Sequence, residues 1–290
     1  MSRSATGGKG AKAAGTILMG LEKLPAFPPV SQQLMELSGK SDVPLQRVAR
    51  LVESDAVFSG EVLRLANSAL FAFRYPINSI MQAIAILGME RLQGMVLTIA
   101  MRDLIRPRKP SAVVKQAWRH NLASALAAEW LADRNWFDRG AAYTGGLLHE
   151  VGILAVALLA EEELLLAATV AVRESRDLLE CEEEILGINH RVVGEHLAQL
   201  WKLPPDLRQV ISHQHRNGEP QKLDLTSLSW NGCSLVNHLG FMLVPPGDAD
   251  QCPPLHFLND MDVSVYAQLP DFRSDLPVKL NFFECNFLPA

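Results

Sequence analysis

The chain lacks any cysteine pairing pattern. Its four cysteines, Cys181, Cys233, Cys252 and Cys285, are widely spaced, and no CxxC occurs in the 290 residues. That excludes a zinc ribbon, gives no disulfide framework, and reads as reduced thiols in a cytoplasmic protein. Long hydrophobic runs are missing too: none reaches the roughly 18 residues a membrane span needs. Ala13 to Leu21 follows Lys9 and Lys12, but it holds two glycines, runs straight into Glu22-Lys23 and shows no cleavage site, so it is not read as a signal peptide. Basic excess is absent: 27 Lys and Arg stand against 32 Asp and Glu, a net charge of −5, which argues against a nucleic-acid binder. Strand-like alternation and repeats of 20–50 residues are also absent. The expectation is a cytoplasmic protein that binds neither membrane nor nucleic acid, with its oligomeric state left open.

Hydrophobic content of 48% with 20% charged residues supports a sizeable core. The apolar spacing is helical throughout, so the chain is expected to be all-α, a multi-helix bundle. Residues 1–16 carry three positive charges and no acid, and read as a flexible leader or a linker from an upstream domain. Residues 17–106 hold about five helices, punctuated by Pro29, Gly39, Pro44, Asp55, Ser79 and Gly88. Pro107-Arg108-Lys109-Pro110 marks an internal boundary. Residues 107–243 hold a long helix capped by Ser111, another from Asp138 to about Leu159, and further helices ending with one from Ser227. The acid run Glu182 to Glu184 reads as a solvated face. Residues 244–290 form a proline- and aromatic-rich tail, irregular in structure, whose aromatics argue for packing onto the body or a partner.

One stretch concentrates the chemistry: Gly145-Gly146-Leu147-Leu148-His149-Glu150-Val151-Gly152. A histidine and a carboxylate sit together in an apolar run, and a buried charge needs a partner. Gly145 and Gly152 lie one turn either side of His149 and leave room around it. His120 lies on the preceding helix beside Val113, Ala117 and Ser124, and His190 has Gly194 one turn on. His213, His215 and Asn237-His238 follow. One histidine on an apolar face is usually a hydrogen-bonded core residue. Several, on different helices and flanked by small residues, also suit a shared site for a first-row metal.

Three further segments carry a resemblance. Leu63-Arg64-Leu65-Ala66-Asn67-Ser68-Ala69-Leu70-Phe71, Ile80-Met81-Gln82-Ala83-Ile84-Ala85-Ile86-Leu87-Gly88 and Leu24-Pro25-Ala26-Phe27-Pro28 join Gly-Leu-Leu-His in a pattern similar to the HDOD domain, a relative of the HD and HD-GYP phosphohydrolases. Over residues 20–243 the chain resembles that family. Asn67 and Gly88 are its signature positions here. The resemblance implies an all-helical N-terminal part packed on an HD-like helical part. It also implies a bacterial signalling protein, the output part of a response regulator, joined to receiver or cyclic-dinucleotide-turnover domains and partnered by protein.

By the same resemblance, His120, His149, Glu150, His190, His215 and Asn237 fall on or beside metal positions. Three positions of the family pattern are changed here. The acid of the His-Asp pair is Glu150, one methylene longer. The closing aspartate falls on Asn237, which is neutral. A His-His pair falls on Gln214-His215. Losing anionic ligands weakens the hold on an ion, and metal-activated hydrolysis needs that ion fixed. The expectation is therefore a non-catalytic regulatory module with no cofactor. Its candidate surfaces are the groove between the two helical parts and the aromatic tail. Asn67 either orders the turn after its helix or simply caps it. The alternative is a metal-dependent HD-type phosphohydrolase acting on a nucleotide or cyclic dinucleotide, with Fe, Mn, Zn or Ni as candidate ions. If Glu150 is merely hydrogen-bonded, Glu150→Gln costs at most about 2 kcal/mol; a larger loss marks a buried positive charge.

Overall fold

Polar side chains at the helix starts divide the chain. Asp55 accepts the backbone N–H of Phe58 at 2.9 Å, Ser79 that of Gln82 at 3.1 Å, Ser111 that of Val114 at 3.2 Å and Asp138 that of Ala141 at 2.8 Å. Each satisfies one of the orphan donors of a first turn. Asp224 and Ser227 form a reciprocal capping box.

The computed structural model describes residues 4–25, 28–37, 43–68, 74–105, 109–213, 223–243 and 263–287. Among them are fifteen helices and no strand. The first six are α1 (Ser4–Leu21), α2 (Pro29–Leu37), α3 (Leu45–Glu53), α4 (Ala56–Ala66), α5 (Ile80–Leu87) and α6 (Met89–Ile105). Next come α7 (Ala112–Arg134), α8 (Arg139–Leu148), α9 (Val151–Leu159), α10 (Glu161–Glu174) and α11 (Leu178–Leu186). The last four are α12 (His190–Leu200), α13 (Pro205–His213), α14 (Leu225–His238) and α15 (Val263–Phe287). The all-α expectation holds. The central helix α7 packs against α8 and α14, α6 joins the N-terminal helices to α8, and α12 lies on α9. A large buried core draws on residues from Ile17 to Phe283, and a small second cluster lies around Ala128, Leu131 and Leu228.

Three sequence expectations need correction. The supposed flexible leader is helical from Ser4 and continuous with Leu21, and α1 packs on α11. Gly10 meets the backbone of Gly187 there, so one glycine of this linker-like stretch is a close-packing contact. The tail is not irregular over 263–287. Leu269, Phe272, Leu276, Leu280 and Phe283 form a helical stripe that faces the core. Arg134 hydrogen-bonds Gln268, Trp130 stacks on Phe272 at 4.9 Å, and Arg119 pairs with Glu284 at 3.2 Å, so α15 runs antiparallel to α7. Pro270 and Pro277 lie seven residues apart, off that stripe. Interior prolines cost about 3 kcal/mol each. Burying the four residues Phe272, Leu276, Leu280 and Phe283, at roughly 1.5–3 kcal/mol each, offsets that.

The third correction concerns the helix expected from Asp138 to Leu159. It breaks at His149 and Glu150, where Glu150 takes φ −110° and ψ 29°. Together α8 and α9 are long and apolar enough to cross a membrane, but 89% of that window is buried inside the protein, which is the setting of core helices.

The two signature positions have structural explanations. Gly88 ends α5 with φ 84° and ψ 167°, a region open essentially to glycine alone. Asn67 accepts the backbone N–H of Ile77 and donates to its carbonyl, both at 2.7 Å, and donates to Leu63 O at 2.9 Å. It therefore does more than cap α4: it clamps the end of that helix to the segment that leads into α5. Asn67→Ala is expected to lower unfolding free energy by about 2–3 kcal/mol, and Asn67→Asp to lose about half of that, since Asp keeps the acceptor for Ile77 N–H but lacks the donor. Urea denaturation of the three proteins side by side checks this.

Candidate functional site

Glycine brings the site together. A Cβ on Gly152 would stand 1.9 Å from the carbonyl oxygen of His190, and one on Gly146 would stand 2.6 Å from that of Ser124. Real Cβ atoms do not approach so closely, so α9 lies directly on the start of α12, and α8 directly on α7. Gly232 does the same for α14, where a Cβ would meet Ala128 N at 2.8 Å. Three backbone contacts thus hold five helices around the His149-Glu150 break.

The two side chains at the break have different neighbours. His149 stacks near His120, with ring centroids 5.2 Å apart. Its Nδ1 lies 2.8 Å from Gly146 O, and His120 Nδ1 lies 2.8 Å from Phe241 O. A carbonyl can only accept, so Nδ1 carries the proton in both rings. When either ring is neutral, its Nε2 bears a lone pair. Cys233 Sγ is 3.6 Å from His120 Nε2, and Asn237 donates its amide N–H to the same sulfur at 3.6 Å. The donor atoms of His120, His149 and Cys233 all lie within 4.8 Å of one another, the one such group among the described residues.

Glu150 instead meets His190. Its Oε2 is 3.6 Å from His190 Nε2. On the other side of that ring, Glu182 Oε2 accepts from Nδ1 at 2.6 Å and from the backbone N–H of His190 at 2.8 Å. His190 begins α12, so Glu182 also faces the positive end of a helix. Burial works against charging this imidazole, yet the carboxylates of Glu182 and Glu150 outweigh it and raise its pKa above the usual 6.5. His190 thus sits buried between two acids, both of which favour its protonated form.

The sequence-predicted set is thus brought together in two adjoining groups. His120, His149 and Asn237 join one, and Glu150 and His190 the other. His215 and Gln214 lie outside the described residues. Two participants were not anticipated. Glu182, read as part of a solvated face, is 0% exposed, while its neighbours Glu183 and Glu184 are exposed. The available signal was the apolar Cys181 before it and His190 eight residues on. Cys233 lies one helical turn before Asn237, a spacing that places both on one face.

The groove expected between the two helical parts is a cavity of about 660 Å³. It is lined by Arg91 of α6, Glu129, Trp130 and Asp133 of α7, Arg139 of α8 and Phe272 of α15, among others. Arg91 and Glu129 pair at 2.6 Å, and the Arg134 guanidinium stacks on Trp130 at 3.9 Å. Next to Phe137 on its wall, Trp136 is 98% exposed and held at φ 54°.

The HDOD domain model matches residues 24–217. The chain belongs to the HDOD domain family. An HDOD domain protein from Geobacter sulfurreducens shares the fold with a TM-score of 0.72, 22% identity, and coverage of 92% of this chain and 97% of that one. A protein from Shewanella amazonensis SB2B, named as a candidate phosphohydrolase, aligns at TM-score 0.64 and 23% identity over 92% and 94% of the two chains. An uncharacterized protein of Treponema pallidum is 25% identical over 207 residues, or 70% of this HDOD chain; the match spans 40% of that relative's length. Helices α1, α14 and α15 lie wholly outside the matched HDOD residues.

Because folding raises the His190 pKa, its pairing stabilises most fully below about pH 6.5, and that contribution fades as pH rises through the folded value. Glu150→Gln removes one partner of this buried cation and is expected to cost more than about 2 kcal/mol at pH 6. The cost shrinks at higher pH, as His190 becomes neutral. Denaturant midpoints of the native protein and Glu150→Gln, measured across pH 6–9, check both statements. Gly152→Ala, which drives a methyl into His190 O, is expected to lower the melting temperature more than any other single methyl addition on α9.

Proposed function

We propose that this HDOD chain is a non-catalytic signal-transduction module, a cytoplasmic response-regulator output part that acts by binding a protein partner. The observation that carries this reading is the placement of Glu150. The acid of the His-acid dyad is engaged with His190, so the three-donor group of His120, His149 and Cys233 contains no carboxylate. At the position of the family's closing acid stands Asn237, which donates a hydrogen bond rather than supplying charge. A hydrolytic metal centre needs an ion in fixed geometry with an open position for water. With the dyad divided, the remaining donors supply one anion at most.

The donor set is nevertheless able to hold a cation: two imidazoles with Nδ1 committed to carbonyls, and one sulfur. When bound, an ion there would supply Lewis acidity. His120 and His149 would orient it, and the close-packed glycine contacts would keep their rings in place. That donor set also supports the second reading, a metal-dependent phosphohydrolase on a nucleotide or cyclic dinucleotide. In the first reading the partner-facing surface is the cavity beside α7, α8 and α15. Its walls carry both charge signs, paired with one another, Arg91 with Glu129 and Arg139 with Asp133. Trp136, next in sequence to the wall residue Phe137, is the kind of exposed indole that anchors protein contacts.

Chain purified without chelator should not turn over phosphodiester or nucleotide substrates with Mn²⁺, Fe²⁺, Zn²⁺ or Ni²⁺ added. Steady turnover that His149→Ala abolishes would overturn the signalling reading in favour of the second.

A further inference from the structure

The group around Cys233 has a chemical character that neither reading above requires. Its three donors come from three elements: His120 from α7, His149 from the end of α8, and Cys233 from α14. A tetrahedral zinc ion, with bonds of about 2.1 Å to nitrogen and 2.3 Å to sulfur, holds an N and an S roughly 3.6 Å apart. Cys233 Sγ and His120 Nε2 are 3.6 Å apart. Both imidazoles have their Nδ1 fixed on backbone carbonyls, the usual outer support of metal-binding histidines, with Nε2 as the donor. Asn237 completes the pattern. Its amide N–H points at the sulfur, and a hydrogen-bond donor there stabilises a thiolate, whereas a carboxylate at that position would repel one.

We propose that His120, His149 and Cys233 form a three-ligand site for one thiophilic divalent cation, of the zinc type, with Cys233 bound as thiolate and Asn237 as its hydrogen-bond donor. The exchange of the family's closing acid for asparagine and the presence of Cys233 one turn earlier are then one change: a hard, anionic ligand set is replaced by a softer one. Soft thiolate ligation selects zinc-like ions over Mg²⁺ or Mn²⁺. The ion clasps α7, α8 and α14 around the dyad, so its role is to hold these helices together. The site goes beyond the signalling reading and does not depend on it, because its test reads ligands and not turnover.

The test is Co²⁺ titration of the full chain, with Zn²⁺ as competitor. Expected are one Co²⁺ per chain, a thiolate-to-cobalt charge-transfer band in the near ultraviolet, and its loss on adding one equivalent of Zn²⁺. Cys233→Ser should lose that band, and Cys285→Ser, at an exposed thiol, should keep it. Should Cys233→Ser not fold, the native chain gives the same answer by alkylation and mass mapping. One equivalent of Zn²⁺ should slow modification of Cys233 about tenfold or more and leave Cys285 unchanged. No charge-transfer band, a band that survives Cys233→Ser, or Cys233 alkylation indifferent to Zn²⁺ would each overturn the proposal.

Discussion

Everything around the dyad depends on one contact: the backbone of Gly152 laid directly against the carbonyl of His190. No side chain larger than hydrogen fits between them, so α9 and α12 meet at backbone distance. That contact brings His190 beside Glu150. It also fixes where the helical path from Arg139 must break, since α8 is held equally closely on α7 through Gly146. His149 and Glu150, at the junction, consequently serve different groups.

The charges follow from that geometry. A buried carboxylate at the Glu150 position needs a partner, and the nearest is the His190 imidazole, whose protonated form is favoured by Glu182 on its far side. In an HD-type centre an ion does this work for both members of the pair. Here the acid faces His190, and the histidine of the dyad lies beside His120 and Cys233. The start of α12 also favours the Glu182 carboxylate, which accepts the backbone N–H of His190 at the helix's positive end.

Much of this was legible from residue order. The caps Asp55, Ser79, Ser111 and Asp138 all do what their positions suggest. His120 and His149 could be grouped because small residues at helical spacing mark the places where helices approach, and Asn237 joined them only through the family resemblance. The α1 and α15 helices were not legible for opposite reasons. Glycine and alanine near the N-terminus look like linker until a partner surface is known, and Pro270 and Pro277 mask an apolar stripe of correct period. Glu182 was hidden by its neighbours: in Glu182-Glu183-Glu184 only one acid can face inward, and composition does not say which. Cys233 carried no signal alone, because a thiol's chemistry depends on what three-dimensional packing puts beside it.

The central claim, that the dyad is divided, is tested most directly by a crystal structure of the chain grown with Zn²⁺ and with Mn²⁺, with anomalous scattering to locate any ion. The account predicts the Glu150 carboxylate against His190, away from any ion that His149 binds. An ion held jointly by His149 and Glu150 would contradict it.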